Sequence, residues 1–154
     1  SAATSAATSA ATSAAGPTSL VAEAGDGAIV TMDFAPEYVA SILDGGKRAT
    51  TRWLSAEAHL GTVRPGSRLS ATCRRCTGVD PTRDAGMEFA QLLVSHVEVR
   101  RVDALDDALG RKLEGFADGA EGLRRALRRF YPSLTDGDAV SVIHFDLLSD
   151  EARS

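Results

Sequence analysis

The chain has 154 residues, of which 44% are apolar and 25% are charged, the composition of an ordinary globular protein with one core. Its formal net charge of -4 excludes a general attraction to nucleic acid or to an anionic membrane, so affinity for phosphate would need a local basic patch. No apolar run approaches the roughly 18 residues of a membrane span, which predicts a soluble protein. Two cysteines, Cys73 and Cys76, are too few for a disulfide framework and favour a reducing, intracellular and cytoplasmic location.

Residues 1–26 begin with a four-residue repeat of small side chains, SAAT, and carry no charge before Glu23. Such a segment has no large apolar group to bury, which predicts a disordered, low-complexity tail. The tail also lacks the basic start and apolar centre of a secretory signal. Because the chain starts at serine, a processed or trimmed start and an unseen targeting segment stay open. The folded domain is expected at 27–150.

The first half of this domain alternates between strand and helix patterns. AIVTMDF is apolar and β-branched, as in a strand, and Pro36 then starts a stretch of apolar residues at helical spacing that Gly45 and Gly46 end. RATTRWL and SRLSATC are again strand-like, and the second of them follows a Pro65-Gly66 turn. The predicted elements are a strand at 28–34, a helix at 36–46, strands at 48–54 and 67–73, and an exposed loop at 74–87.

The second half contains the longest strand pattern, at 88–104, whose apolar run is long enough to require a bend or a bulge. Two stripes of apolar residues at helical spacing follow and predict helices at 103–116 and 118–130. A TDGD turn leads to a last predicted strand at 139–148. Short strands around a few helices, with antiparallel rather than βαβ spacing, indicate an α+β domain on a small mixed or antiparallel β-barrel or curved sheet.

The stretch GGKRATTR, directly after the predicted first helix, brings cations and hydroxyls close together. If 48–54 is a strand, Thr50 and Arg52 point to one face and Thr51 and Trp53 to the other, while Lys47 lies in the preceding turn and can reach back. Such a set can hold an anionic phosphate, or a lysine with a lowered pKa can act as a base toward a threonine. Alternatively, the two cations are solvated surface charges.

These residues resemble the G-x-K-x-x-T-x-R motif of the ASCH domain, a PUA-like β-barrel with flanking helices that is named for homology to an activating signal cointegrator. The motif positions are Gly45, Lys47, Thr50 and Arg52. The resemblance covers about residues 28–148, and its other segments follow in the same order: Pro65-Gly66, Leu113–Phe116, Phe130–Pro132 and Val142–Phe145. It implies a PUA-like fold for nearly the whole domain.

The resemblance implies a choice of functions. Many ASCH domains are regarded as RNA-binding modules, so the leading expectation is binding of RNA or a nucleotide in a basic cleft. The ligand contacts would come from Gly45, Lys47, Thr50, Arg52 and Trp53. Certain small bacterial members are amidohydrolases that remove the acyl group of N4-acylcytidines, and their catalytic residues carry over to Lys47, Thr50 and Glu114. Ribonuclease activity is a third reading. None of these functions calls for a metal or a cofactor, and the expected partner is RNA or a modified nucleoside.

One structural observation separates binding from catalysis. A carboxylate within hydrogen-bond reach of Lys47 and Thr50 favours the enzyme, whereas an open basic groove favours the binder. The candidate carboxylate is Glu114, which could instead be a solvated charge at a helix end. The candidate groove would use a basic helix edge, which could instead be only a solvated face. Its predicted nucleic-acid contacts are Arg52, Arg124, Arg125 and Arg128.

The remaining reactive side chains are predicted to be structural. Cys73 and Cys76 have no second C-x-x-C for a zinc site and no thioredoxin-like setting for redox chemistry, so they are expected to be two thiols at a strand end. His96 and His144 lie in apolar strand patterns and are expected to be framework residues.

Overall fold

A computed structural model describes residues 29–76 and 87–149. The elements in this range are β1 (Ile29–Asp33), α1 (Pro36–Leu43), β2 (Ala49–Arg52), β3 (Arg68–Thr72), β4 (Glu88–Arg101), α2 (Ala120–Phe130) and β5 (Ala139–Leu147). Short 3-10 turns cover Ala58–Thr62 and Val102–Ala104, and a π-helical turn covers Leu109–Leu113. The tail predicted at 1–26 and most of the loop predicted at 74–87 lie outside the described residues. Within those residues, no helix is both long enough and apolar enough to cross a bilayer.

The strands form one mixed sheet in the order β1-β3-β4-β5-β2. β3 with β4, β4 with β5, and β5 with β2 are antiparallel, whereas β1 runs parallel to β3. Helix α1 and strand β2 separate β1 from β3 in the sequence, and a connection of this length can return the chain in the same direction. The α+β class predicted from the sequence is therefore confirmed, and of the two sheet types that the sequence left open, mixed or antiparallel, the sheet is mixed because β1 is parallel to β3.

The predicted closure into a barrel is wrong for the described part of the chain. β1 and β2 are the two edges of an open sheet, and no backbone pairing joins them among the described residues. Instead, the side chain of Arg52 at the end of β2 donates from Nη2 to the carbonyl oxygen of Asp33 at the end of β1, over 2.8 Å. A side chain thus bridges a gap that backbone hydrogen bonds would fill in a closed barrel.

Strand β4 bends as its length predicts. Its register against β5 shifts between Val94 and His96, so Ser95 is an extra residue on the longer strand. Such a bulge increases the local twist and lets a fourteen-residue strand curve around the core. The predicted bulge is confirmed.

The continuous helix predicted at 103–116 is wrong. The chain instead forms a 3-10 turn at Val102–Ala104, an irregular stretch, and the π-helical turn at Leu109–Leu113. The Asp106 Oδ1 accepts the Leu109 N–H over 2.8 Å, so a new helical turn starts after this residue instead of at 103. A Cβ at Gly110 would lie 2.4 Å from the backbone of Gly119, so only glycine allows the close approach of these two segments. The second late helix is confirmed as α2.

Two apolar cores lie on the two faces of the sheet. The first contains Met32, Phe34, Ile42, Leu69, Leu92 and Phe145. The second contains Val102, Leu109, Leu123, Leu127, Val140 and Val142 and packs α2 against the sheet. Alternation along β5 supplies both cores, since Val142 and Ile143 point to opposite faces. Strand β2 is an edge of this sheet, so its end has access to both cores.

Cys73 and Cys76 form a disulfide, which corrects the expectation of two free thiols. Their Cα atoms are 5.5 Å apart, within the range that a disulfide spans. A turn after β3, in which the Cys76 N–H donates to the Cys73 carbonyl, brings the two cysteines together. The number and spacing of the cysteines alone do not reveal this turn.

Candidate active site

A cavity of about 290 Å³ opens between the ends of the edge strands β1 and β2, with α2 forming one wall. Its aromatic lining residues are Phe34, Tyr38, Phe116, Phe130 and Tyr131. Its main polar lining residues are Lys47, Thr50, Thr51, Arg52, Glu57 and Glu114. An apolar pocket into which a few polar groups converge is the usual form of a small-molecule site.

Lys47 enters this cavity from the turn that ends α1. Gly45 adopts a φ of +84°, in the left-handed region that glycine accepts without steric cost. The Lys47 N–H then donates to the Ser41 carbonyl oxygen over 2.9 Å, which ties the turn to the helix. As a result, the lysine is 3% exposed rather than extended into solvent.

Glu114 enters from the opposite segment, directly after the π-helical turn. Its N–H donates to the carbonyl oxygen of Leu109, five residues earlier, over 3.0 Å. Gly115 has a φ of +82°, so the chain turns away immediately after the glutamate. The Arg48 N–H also donates to the Leu113 carbonyl oxygen over 2.6 Å, which joins the backbones next to Lys47 and Glu114.

The two side chains meet as a buried ion pair. The Nζ atom of Lys47 lies 3.2 Å from Oε1 of Glu114, and each side chain is 2% exposed. The other carboxylate oxygen accepts a hydrogen bond from the hydroxyl of Thr51. Lys47 Nζ also lies 4.7 Å from the centre of the Tyr38 ring, a cation–π distance. A carboxylate therefore faces the lysine of the motif, as expected for the enzyme, but the threonine that it contacts is Thr51 and not the predicted Thr50.

Burial lowers the pKa of Lys47 below its usual value of 10.5, because the charged ammonium loses its hydration. The charge and hydrogen bond of Glu114 act in the opposite direction, and the charge of Arg52 lowers the pKa further. The neutral amine, which can accept a proton, is therefore more accessible than in a free lysine.

A second series of hydrogen bonds runs from Tyr131 through Glu57 and Arg52 to Thr50. Arg52 donates from Nε to the Thr50 hydroxyl oxygen over 3.1 Å and from Nη1 to Oε1 of Glu57 over 3.0 Å. The hydroxyl of Tyr131 donates to the other oxygen of Glu57. Burial, together with that hydrogen bond, raises the pKa of Tyr131, so the phenol stays protonated and keeps donating. These contacts fix the guanidinium against Thr50.

The two adjacent threonines of β2 have different partners. Thr50 and Arg52 share a face, as strand alternation predicts, while Thr51 reaches Glu114 from the other face. Both line the cavity because β2 is an edge strand whose end is open on both sides. The Thr50 oxygen accepts a bond from Arg52, and no described residue accepts its hydroxyl proton. The Thr50 hydroxyl proton is therefore uncommitted among the described residues, where no hydrogen bond joins Thr50 to Lys47 or to Glu114.

Several residues predicted for the site lie elsewhere. Gly45 shapes the turn before Lys47 and does not line the cavity. Trp53 packs against Tyr131, with ring centres 6.0 Å apart, and also does not line the cavity. His144 contacts Glu98 at 2.8 Å, consistent with a framework residue, whereas His96 is exposed, with its ring centre 5.3 Å from that of His144.

The basic edge of α2 also lies outside the cavity lining, and its cations are already engaged. Arg125 pairs with Asp118 at 3.3 Å, and Arg128 pairs with Asp136 at 2.5 Å. Arg124 donates to the Leu105 carbonyl oxygen over 3.1 Å. An RNA phosphate would have to compete with these contacts, so nucleic-acid binding by this helix stays a prediction without support from its geometry.

Sequence reasoning missed several residues of the cavity. Glu57 lies five residues after Arg52 but outside the motif, and nothing in the sequence around it marks it as the partner of Arg52 and Tyr131. Tyr38 and Phe116 read as core residues of helical stripes, and only the fold shows that they flank Lys47. Arg75, by contrast, belongs to a basic pair with Arg74 that is visible in the sequence, and only the fold shows that Arg75, and not Arg74, lines the cavity.

Comparisons of the sequence find no matching family model and no matching curated protein. The fold, however, is similar to that of the ASCH domain from Lactobacillus crispatus JV V101, with a TM-score of 0.60 and 15% identity over 84% of this chain and 86% of that one. The chain has an ASCH-type fold. A second similar structure is hypothetical protein PH0355, with a TM-score of 0.53 and 16% identity over 79% of this chain and all of that one.

At identities of 15% and 16% the likeness extends to the fold alone, so roles for individual side chains have to come from their geometry. In this ASCH-type chain, the described residues contain no group of three or more His, Cys, Asp or Glu arranged to hold a metal ion.

Proposed function

We propose that the protein is an amidohydrolase that removes the acyl group from the exocyclic nitrogen of N4-acetylcytidine-type nucleosides. The observation that carries this proposal is the buried contact of 3.2 Å between Lys47 Nζ and Glu114 Oε1, in the cavity that Thr50 also lines. A nucleic-acid binder gains nothing from a lysine whose charge is buried and already paired. A hydrolase needs a base with an accessible neutral form near a hydroxyl.

Thr50 is the nucleophile in this proposal. Its hydroxyl oxygen attacks the acyl carbon of the amide, and its proton passes to neutral Lys47. The ammonium that forms is stabilised by Glu114, which already lies at hydrogen-bond distance. The N–H groups of Arg52 left over from its contacts to Thr50, Glu57 and Asp33 stabilise the oxyanion.

Collapse of the tetrahedral intermediate breaks the bond between the acyl carbon and the exocyclic nitrogen. The departing amine takes the proton from the Lys47 ammonium, and the acyl group stays on Thr50 as an ester. A water molecule then attacks this ester while Lys47 accepts its proton. The bond between the acyl carbon and the Thr50 oxygen breaks, and the Lys47 ammonium returns the proton to the Thr50 oxygen. The balanced reaction is N4-acetylcytidine plus water to cytidine plus acetic acid, without an oxidant or a second substrate.

The aromatic lining fits a flat ring. Tyr38 and Phe116 lie next to Lys47, with Nζ 4.7 and 5.8 Å from their ring centres. Aromatic side chains bind nucleobases by stacking, and they also exclude water from the amide that reacts. A pyrimidine ring held against these rings would carry its acylated nitrogen toward the buried polar end of the cavity.

Release of acetate from N4-acetylcytidine by the full chain tests the proposal. We expect Glu114→Gln to lower kcat by roughly 100- to 10,000-fold with little change in KM, because it keeps the shape but removes the charge that stabilises the protonated base. Glu121→Gln, on the exposed side of α2, is the matched control and should match the wild type. Absence of acetate release by the wild type between roughly pH 6 and 9 would contradict the proposal.

The pH dependence gives an independent test of the lysine. Since the neutral amine is the base, kcat/KM should rise with pH through a Lys47 pKa that lies below its usual value of 10.5. Glu114 raises the pKa of Lys47, so Glu114→Gln should move this rising limb to lower pH as well as reduce the rate. A limb that stays in place, or moves to higher pH, would assign the base to a different group.

A further inference from the structure

We propose that the disulfide-closed segment Cys73–Cys76 is a phosphate-binding element, and that Arg75 within it takes the 5′-phosphate of a nucleotide. For the reaction this inference rests on the proposed function, because it makes the substrate an N4-acylated cytidine nucleotide rather than a free nucleoside. For binding alone it stands on the geometry of Arg75 and the cavity.

Arg75 is the cation of the cavity that has no carboxylate partner among the described residues. Lys47 pairs with Glu114, and Arg52 pairs with Glu57. Arg75, by contrast, is exposed and lines the cavity, with its guanidinium carbon 5.7 Å from the centre of the Phe130 ring. Its N–H groups are therefore available for an anion at this position, and a guanidinium suits the oxygens of a phosphate.

A comparison with Arg129 shows that the free N–H groups distinguish Arg75 from a nearby arginine. Arg129 also stacks on Phe130, with its guanidinium carbon 4.7 Å from the ring centre. However, its Nη2 atom lies 2.6 Å from Oε2 of Glu37, so a phosphate would have to displace a carboxylate. The two guanidiniums share one aromatic ring, but only that of Arg75 lines the cavity and lacks an acidic partner in the described chain.

The backbone around Arg75 is held in place before any ligand binds. The disulfide closes the segment, and the Cys76 N–H donates to the Cys73 carbonyl oxygen. The Arg74 N–H donates to Oδ1 of Asp33 over 2.8 Å. The carbonyl oxygen of Asp33 in turn accepts a hydrogen bond from Arg52. Asp33 thus ties the segment to the catalytic end of the cavity. A preorganised backbone lowers the entropy that ligand binding costs.

The size and depth of the cavity indicate what reaches Arg75. A volume of about 290 Å³ lies just below the roughly 300–1,000 Å³ of sites for drug-sized ligands, so the cavity has room for a base while the rest of a nucleotide lies at the opening. Lys47 and Glu114 lie at the buried end, whereas Arg75 is exposed. A base with its acylated nitrogen at the buried end directs its ribose outward, where the 5′-phosphate meets the guanidinium.

Calorimetric binding of cytidine 5′-monophosphate and of cytidine to the full chain tests this inference without any turnover. We expect the monophosphate to bind roughly 10- to 100-fold more tightly than cytidine. A gain of this size is typical of hydrogen bonds that involve charged groups. Arg75→Ala should remove this difference while leaving cytidine binding unchanged. Arg74→Ala is the matched control, since it removes an equal charge from the same segment at a side chain that does not line the cavity.

Equal affinity of the wild type for the two ligands, or a difference that Arg75→Ala retains, would overturn the inference. So would a dependence on Arg75 that is confined to a trinucleotide, because that result assigns the site to RNA. Acetate release from N4-acetylcytidine without any gain from a 5′-phosphate would leave the proposed function standing and remove only this subsite. Arg75-dependent binding of the monophosphate without any acetate release would leave the phosphate subsite standing and contradict the proposed function.

Discussion

Replacing Lys47 with methionine should lower the free energy of unfolding by about 3–5 kcal/mol, because it leaves the Glu114 carboxylate buried without its counter-ion. Each side chain of this pair is 2% exposed, so water cannot take over the role of the ammonium. Denaturant unfolding of the wild type and the variant at neutral pH measures the difference. Methionine keeps the length and the apolar stem of the lysine, so the loss reports the charge and not the packing.

Two variants control this prediction. Lys47→Met combined with Glu114→Gln removes both charges and should recover most of the loss, since replacing both members of a buried pair is often close to neutral. Lys112→Met changes the other lysine of the chain, which is exposed, and should have little effect. If Lys47→Met costs no more than Lys112→Met, Glu114 does not carry a buried charge that needs the lysine.

Thr50→Val should lower turnover of N4-acetylcytidine by at least about 1,000-fold, because valine has the shape of threonine but no hydroxyl to attack the acyl carbon. Thr50→Ser restores a hydroxyl at the same position and should retain measurable turnover. The assay is acetate release at saturating substrate, with circular dichroism to check that each variant folds. A loss restricted to kcat, with substrate binding preserved, is the expected form of the result.

The adjacent residue Thr51 provides a matched control for this experiment. Thr51→Val removes the hydroxyl that donates to Glu114 but leaves Thr50 intact, so turnover should fall by much less. The two variants change the same kind of residue at neighbouring positions of β2, and both positions line the cavity. If Thr51→Val abolishes turnover and Thr50→Val does not, the nucleophile is Thr51, and Lys47 and Glu114 act on it instead.

The sequence predicted well those helices and strands whose positions depend on local patterns of side chains. The apolar run at 88–104 predicted the long strand β4 and its bulge, and Pro36 and Gly45 marked the two ends of α1. These features depend on the periodicity of side chains and on the conformations of single residues, which the sequence states directly. The apolar stripe at 103–116 predicted one continuous helix, and its periodicity did not reveal the separate 3-10 turn and π-helical turn that the chain forms there.

By itself, the sequence determined the α+β class, most strand and helix positions, and the placement of Thr50 and Arg52 on one face of a strand. Only the tertiary structure decided that Lys47 meets Glu114, 67 residues away, that Arg52 bridges two open sheet edges, and that the arginines of α2 are engaged by acids and carbonyls. It also decided that Cys73 and Cys76 are joined and hold Arg75 at the cavity. The physical reason is that such contacts join segments distant in sequence, and their distances depend on chain topology and packing, which local periodicity does not encode.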